Sequence, residues 1–455
     1  MATALVVGNM IGSGVFLLPA SLGAFGPISL VAFGATALGA VLLALVFARL
    51  GQAFPATGGP YAYSRRAFGD FVGFQTAWGY WIAAWVGNAA IATAFVAYLS
   101  DFLDDNWNVR LLAENDLAAA LTGIAAIWVL TWLNVLGVRR GGWMQLGTTV
   151  LKFVPLVAVA VLGVFWVSLN DLGPFNVSGD SSYGAITAAA TLTLWAFIGL
   201  ESATVPADDV RDPRRTIPWA TIVGTVVTAG VYVLATFVIF GVLGTEATAA
   251  STAPFADAAR EMWGGWGGDV IGLAAIVSTF GCLNGWILLQ GQIPMAAARD
   301  GLFPKPFTKQ SRHGAPWFGL VASSVLITGL VMMSYEDQTF VTWFEELILL
   351  ATLTTLIPYA FSAAAELSLF VTDRAAFSAA RLTKDTIVGL LAFAYAVWTI
   401  AGSGYAVVYK GFLLLMFGIP VYLYMKWQGS RERAAPMTVV PASPATVEHT
   451  ARIAS

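Results

Sequence analysis

The sequence predicts an all-α membrane protein of about twelve transmembrane helices, and three observations predict it. Of the 455 residues, 58% are hydrophobic and only 11% charged, whereas a soluble domain carries about 25% charged residues. The outer surface of such a chain must face lipid. The apolar residues gather into runs long enough to cross the hydrocarbon, which takes about 20 residues of helix. Finally, the basic residues between those runs sort by alternate sides.

In order, the spans run near 3–25, 27–49, 71–100, 115–137, 143–169, 184–207, 217–242, 268–297, 316–334, 343–371, 386–402 and 406–426. With both termini inside, the inner segments hold Arg49, Arg65 and Arg66, then Arg139 and Arg140, then Arg211, Arg214 and Arg215. Next come Arg299, Lys305, Lys309 and Arg312, then Arg374, Arg381 and Lys384, then Lys426, Arg431, Arg433 and Arg452. Those are 19 of the 23 basic residues; Arg110, Arg260 and Lys410 fall outside, and Lys152 falls within a span. Lysine and arginine accumulate on the cytoplasmic side, so this split favours an even number of spans and a multi-pass protein with both ends in the cytoplasm. Losing one helix midway would scramble it. The permease body is expected over 1–427, and the Pro-, Ala-, Ser- and Thr-rich stretch 428–455 is expected to be a disordered cytoplasmic tail. The first apolar run begins almost at Met1 without a basic leader. No cleavable signal peptide is expected there, and the abrupt start suggests a short cytoplasmic head before it.

Several chemistries are disfavoured. A net charge of −3 and the lack of a basic arm argue against a nucleic-acid partner. The single cysteine, Cys282, permits no disulfide framework, and His313 and His449 lie far apart in polar stretches, so no metal cluster or cofactor is expected. A phosphate-binding loop is missing, which argues against ATP-driven pumping. No nucleophile–base pair suggests an enzyme.

Two spans carry interruptions that lipid does not tolerate. The first reads Val7-Gly8-Asn9-Met10-Ile11-Gly12-Ser13-Gly14-Val15 and the sixth Trp195-Ala196-Phe197-Ile198-Gly199-Leu200-Glu201-Ser202. Glycine costs about 1 kcal/mol in a helix interior, and unpaired backbone groups in hydrocarbon cost several more, so such stretches survive where they line a cavity. Bared amides there suit a carboxylate, and freed carbonyls suit an ammonium group. Spans 1 and 6 are five apart, the offset of two inverted five-helix repeats: one over about 1–169, a second over about 184–371, with helices 11 and 12 at about 386–426.

The stretches GNMIGSGVFLLPA (8–20), GGPYAYSRRAFG (58–69), YWIAAWVGN (80–88), TLWAFIGLESATV (193–205), RDGLFP (299–304) and LIPYAF (356–361) lie along most of the chain. Through them the sequence resembles the amino acid–polyamine–organocation superfamily, and within it the group of arginine/agmatine and basic amino acid/polyamine antiporters. The resemblance implies a LeuT-type 5+5 inverted repeat with broken helices 1 and 6. It implies that Ser13 and the Gly14 amide, next to Gly12, hold a substrate carboxylate, and that carbonyls at Met10, Trp195 and Ile198 take the α-amino group. It implies that Asn88 contacts the substrate side chain, that Trp195 closes over the substrate, that Trp286 stacks on a cationic group, and that Glu201 works with Tyr80 and Tyr359 in an inner gate and proton response. Relatives are often homodimers.

Independently of any relative, Asn88 is an amide in a long apolar run and needs buried partners. Glu201 is a carboxylate at a span centre, costing roughly 2.5–3.5 kcal/mol on insertion scales. Such a group usually faces the bundle interior.

Lys152 departs from the arginine/agmatine pattern. A lysine at this place occurs in other branches, where its ammonium stands where sodium-coupled relatives hold a cation. The expectation is sodium independence, with Lys152 a proton switch or fixed cation. Ala351 stands near a substrate-contacting serine of that group, with Thr352 beside it, and the stretch 281–286 also differs. Two mechanisms therefore stay open: exchange of a cationic amino acid for an amine, and proton-coupled uptake of neutral or broad-range amino acids. A bacterial inner-membrane location is expected for either. A channel or a non-transporting sensor would be a different class of protein; isolated mid-membrane polar groups and the lack of an appended domain speak against them.

Overall fold

The computed structural model describes residues 2–333 and 340–434, without the side chains of 138–145, 209, 340–341 and 432–434. Among the described residues, nine helices are long and apolar enough to cross a membrane: Ile28–Ala53, Asp70–Trp107, Asp116–Val135, Leu146–Trp166, Pro213–Leu243, Gly265–Arg299, Thr342–Thr372, Ala379–Ala401 and Tyr405–Arg431. They correspond to spans 2, 3, 4, 5, 7, 8, 10, 11 and 12. Span 9 is the shorter helix Trp317–Met333. Spans 1 and 6 are interrupted and complete the twelve.

Spans 3 and 8 are the longest and most enclosed. Their most apolar windows are 83% and 72% buried, against 17% for span 12. Span 3 packs on both span 8 and span 10, and span 7 packs on spans 1 and 2. Small residues let helices approach closely: a Cβ on Gly319 would sit 3.2 Å from the Gly291 α-carbon where span 8 meets span 9.

The basic residues assigned to one side do lie together. Arg65 pairs with Asp300 at 2.5 Å and with Asp70 at 2.9 Å; Arg66 pairs with Asp373 and Lys426 with Asp70, both at 2.5 Å. At the opposite end Arg110 pairs with Asp104 at 3.0 Å, and Arg260 pairs with Asp105 and, at 2.6 Å, with Asp257. There, burial works against the Arg260 charge, but the carboxylates of Asp105, Asp101 and Asp257 outweigh it and hold its pKa above the ordinary value. The two charged clusters sit at opposite ends of the helix Asp70–Trp107.

Two expectations need correction. The last helix runs through Gly418–Ala434, so the beginning of the segment expected to be a disordered tail is helical; the remainder lies outside the described residues. The second half of span 6 is not an α-helix either. It is a chain of short 3₁₀ turns, Ser202–Thr204 and Ala207–Asp209. Pro206 removes one donor, and Thr204 Oγ1 bonds the Glu201 carbonyl at 2.7 Å, competing with the helical pattern.

Candidate functional site

The first break lies where the glycines predicted it. Helix Ala2–Met10 ends, Ile11 and Gly12 bend, and Ser13–Phe16 resumes for a single turn. In span 6 the helix Ser182–Leu194 tightens to a 3₁₀ turn at Trp195–Phe197, then Ile198 is extended and Gly199 takes φ +115°. A left-handed φ of that kind is open to glycine and costly for a side chain.

The two breaks meet. Asn9 Nδ2 donates to Ser202 Oγ at 2.9 Å. A Cβ on Gly14 would sit 2.8 Å from the Ala196 α-carbon, and one on Gly199 would sit 3.1 Å from the Asn9 Cβ. Between them is a cavity of about 10 Å³ lined by Asn9, Met10, Ser13, Gly14, Ile91, Trp195, Ile198, Cys282 and Trp286. That volume accommodates about one water, so the site is shut in this conformation and must open to take a larger solute.

The backbone groups freed by the first break are taken up one by one. Lys152 Nζ donates to the Gly8 carbonyl at 2.5 Å and to the Ile11 carbonyl. Cys282 Sγ and Trp286 Nε1 both donate to the Asn9 carbonyl, at 3.3 and 3.2 Å. Ser278 Oγ reaches the Ile11 carbonyl at 3.4 Å. Lys152 is fully buried; it does not extend toward an interface. Its ammonium supplies the donors a broken helix lacks.

Two side-chain closures flank the cavity. On one side Trp195 Nε1 donates to Ser13 Oγ at 3.3 Å, so this hydroxyl faces the second break; the far edge of the Trp195 ring lies against Gly87 of span 3. On the other, Tyr80 and Tyr359 each donate to a different Glu201 carboxylate oxygen, and the Gly199 amide donates to Glu201 Oε2 at 3.2 Å. All three side chains are buried. The Tyr80 ring lies 6.2 Å from the Trp286 ring, tilted by 31°. One carboxylate thus ties spans 3, 6 and 10 together.

Beyond this closure a cleft of about 680 Å³ opens at the arginine-rich face, lined by residues that include Thr57, Tyr61, Arg65, Asp208 and Asp300. The motifs 58–69 and 299–304, far apart in sequence, meet here. Tyr61 donates to Asp300 at 2.6 Å, and burial, reinforced by that bond, pushes the phenol pKa up and keeps it protonated.

Of the residues expected at the site, Met10, Ser13, Gly14, Trp195, Ile198 and Trp286 line the cavity. Gly12 abuts Cys282 just behind it. Asn88 is placed elsewhere: its amide donates to Gln290 Oε1 at 2.7 Å, and Gln290 in turn donates to the Leu320 carbonyl and Ser324 Oγ at 3.3 and 3.2 Å. Sequence reading did not assign Asn9, Ile91 and Cys282 to the lining. For Cys282 the available signal was its four-residue step to Trp286, which puts both on one helical face; Asn9 stood in the first interrupted stretch.

The chain matches the amino acid permease family over residues 1–425. The chain belongs to that family. Among its relatives, the cadaverine/lysine antiporter of Escherichia coli (strain K12) is 36% identical over 79% of this permease and 80% of its own length. The putative arginine/ornithine antiporter of Bacillus subtilis (strain 168) is 32% identical over 96% and 98%. The putrescine transporter PotE of Escherichia coli (strain K12) is 30% identical over 92% and 94%. The permease therefore matches from four fifths to nearly all of the length of these transporters.

The packing around Gly12 gives a first prediction. An alanine Cβ at position 12 would fall 2.3 Å from Cys282 Sγ and 2.6 Å from its Cβ. In a closed, well-packed interior such overlap forces the backbone apart. Gly12→Ala is expected to slow transport at least about tenfold, and adding Cys282→Gly is expected to restore most of it, since neighbouring sites couple. Gly14→Ala meets backbone of Ala196 instead and should find no such suppressor. Vesicle uptake by the three variants checks this; a Gly12→Ala protein with full activity would contradict it.

Proposed function

We propose that this permease exchanges a cationic amino acid for a related amine by alternating access, independently of sodium. The observation that carries the reading is the closed cavity at the two helix breaks, bounded by Trp195 above Ser13 and by the Tyr80–Glu201–Tyr359 closure. Main-chain groups at the breaks offer both signs of partial charge to a zwitterion, and Trp286 offers an aromatic face for a cation in a desolvated site. The antiporter names carried by the relatives support exchange, and lysine with cadaverine or arginine with ornithine are the solute pairs to try first. Ser13 and Gly14 are assigned to the substrate carboxylate, Met10, Trp195 and Ile198 to the α-amino group, and Trp286 to the cationic end.

In this reading Lys152 supplies a resident positive charge at the break, where a sodium ion would otherwise be needed to hold the Gly8 and Ile11 carbonyls. Asn88 acts through the packing of span 3 on spans 8 and 9, and reaches substrate only after leaving Gln290. The basic face is assigned to the cytoplasm of a bacterial inner membrane.

The test is counterflow in liposomes. Vesicles preloaded with unlabelled lysine, arginine, ornithine, cadaverine or putrescine should accumulate the labelled partner, while empty vesicles accumulate about tenfold less or lower still. Replacing external sodium by choline should leave the initial rate unchanged within about twofold. Uptake into empty vesicles driven only by acid outside would replace exchange with proton symport, the reading that Lys152 alone would favour.

A further inference from the structure

Span 7 carries five buried hydroxyls on one face: Thr221, Thr225, Thr228, Tyr232 and Thr236. Their spacing, in steps of three and four, draws a continuous line along the helix. Each side chain is at most 1% exposed, and none of the five hydroxyls has a hydrogen-bond partner among the described residues. Six threonines of other helices in the bundle behave differently. Thr76, Thr93, Thr131, Thr279, Thr328 and Thr399 each donate to the carbonyl one turn back in their own helix, at 2.7–3.1 Å. The threonines of span 7 turn their hydroxyls away from that partner.

Buried hydroxyls are rarely left unpaired, because each forfeits its full hydration. A line of them at helical spacing points to a ligand that can bridge successive oxygens, act as donor and acceptor alike, and fit beside a helix. Water has that chemistry. The line also connects two meaningful places. One turn before Thr221, Ile217 packs on Gly51, and the Tyr63 hydroxyl lies against the same glycine behind the arginine-lined cleft. At the middle of the span, the Tyr232 ring sits 5.8 Å from Phe197 in the second break and 6.2 Å from Phe33.

We propose that span 7 binds a file of water between the arginine-rich face and the helix breaks. The file gives the shut centre a way to gain or lose water when the bound solute changes size, without opening either side-chain closure. The hydration role rests on the exchange reading above; the water file itself does not, and its test requires no transport.

The full chain in nanodiscs is exposed to millisecond X-ray pulses, and hydroxyl-radical modification is mapped by mass spectrometry. Radicals formed from bound water mark the residues it touches. Tyr232, although fully buried, is expected to be modified at a rate within about fivefold of the exposed Tyr183, and the double variant Thr225→Val/Thr228→Val is expected to cut that rate at least about fivefold. The melting temperature gives the second readout. Valine has nearly the shape of threonine, so if the hydroxyls are dry the double variant melts higher, and if they hold water it melts lower. Tyr232 labelling no greater than that of buried Tyr98, labelling unaffected by the double variant, or a raised melting temperature overturns the proposal.

Discussion

Glu201→Leu is expected to lower counterflow of labelled lysine or arginine by on the order of 100-fold in preloaded liposomes. The carboxylate accepts from the Tyr80 and Tyr359 hydroxyls and from the Gly199 amide. Removing it leaves two buried phenols and a main-chain donor without an acceptor. Hydrogen bonds to a charged group are worth about 1.5–3 kcal/mol each, and a donor stranded by its loss costs about 1–3 kcal/mol. Spans 3 and 10 would then no longer be held to the second break, and the side of the cavity facing the arginine-lined cleft would lose its closure. Glu201→Gln keeps the shape and one acceptor oxygen but turns an amide N–H₂ toward a phenol, so its rate should fall between wild type and Glu201→Leu. A Glu201→Leu protein that folds, inserts and exchanges at the wild-type rate would remove the gate from the mechanism.

Lys152→Ala has the second large effect. It strips the ammonium donor from the Gly8 and Ile11 carbonyls at the first break, leaving the Gly8 carbonyl without it in a fully enclosed place, at about 1–3 kcal/mol, and the Ile11 carbonyl with only the long 3.4 Å bond from Ser278. Exchange is expected to fall by on the order of 30-fold or more. Lys152→Arg should not restore it, because a planar fork cannot replace a compact ammonium aimed at two carbonyls on one turn. Initial rates of exchange for the two variants, normalised to folded protein in the vesicles, decide the matter. If Lys152→Ala transports normally with an unchanged pH profile, the lysine holds neither the break nor the coupling.

Much of the architecture was legible because a bilayer imposes simple arithmetic. An apolar run of about 20 residues must be a helix that spans, and basic residues must fall between runs on alternate sides. The breaks were legible for a related reason: Gly12, Gly14 and Gly199 beside Asn9, Ser13 and Glu201 make no sense against lipid. Lys152 could be read as a buried charge, since it stands alone in an apolar run.

Other features were not legible. The partners of Lys152 are carbonyls, and every residue has one, so the sequence holds no signal for Gly8 and Ile11. Asn88 was assigned to the substrate by resemblance, and its buried amide demanded a partner; in this conformation Gln290, more than 200 positions away, answers that demand, and only packing could bring it there. The second half of span 6 falls within a predicted helical span, yet Pro206 and the Thr204 side chain divert its backbone bonds.

What the sequence by itself determined about this permease is a count of helices, their order, the ends of the bundle on which charge collects, and the two places where a helix must fail. These follow from composition over distances of a few turns, where lipid penalises every unpaired polar group. What only the tertiary structure decided is which polar group answers which: Lys152 to Gly8 and Ile11, Glu201 to two tyrosines, Asn88 to Gln290, and the span 7 hydroxyls to none of their neighbours. Hydrogen bonds act over about 3 Å, and their partners are set by how helices pack, which local periodicity does not encode.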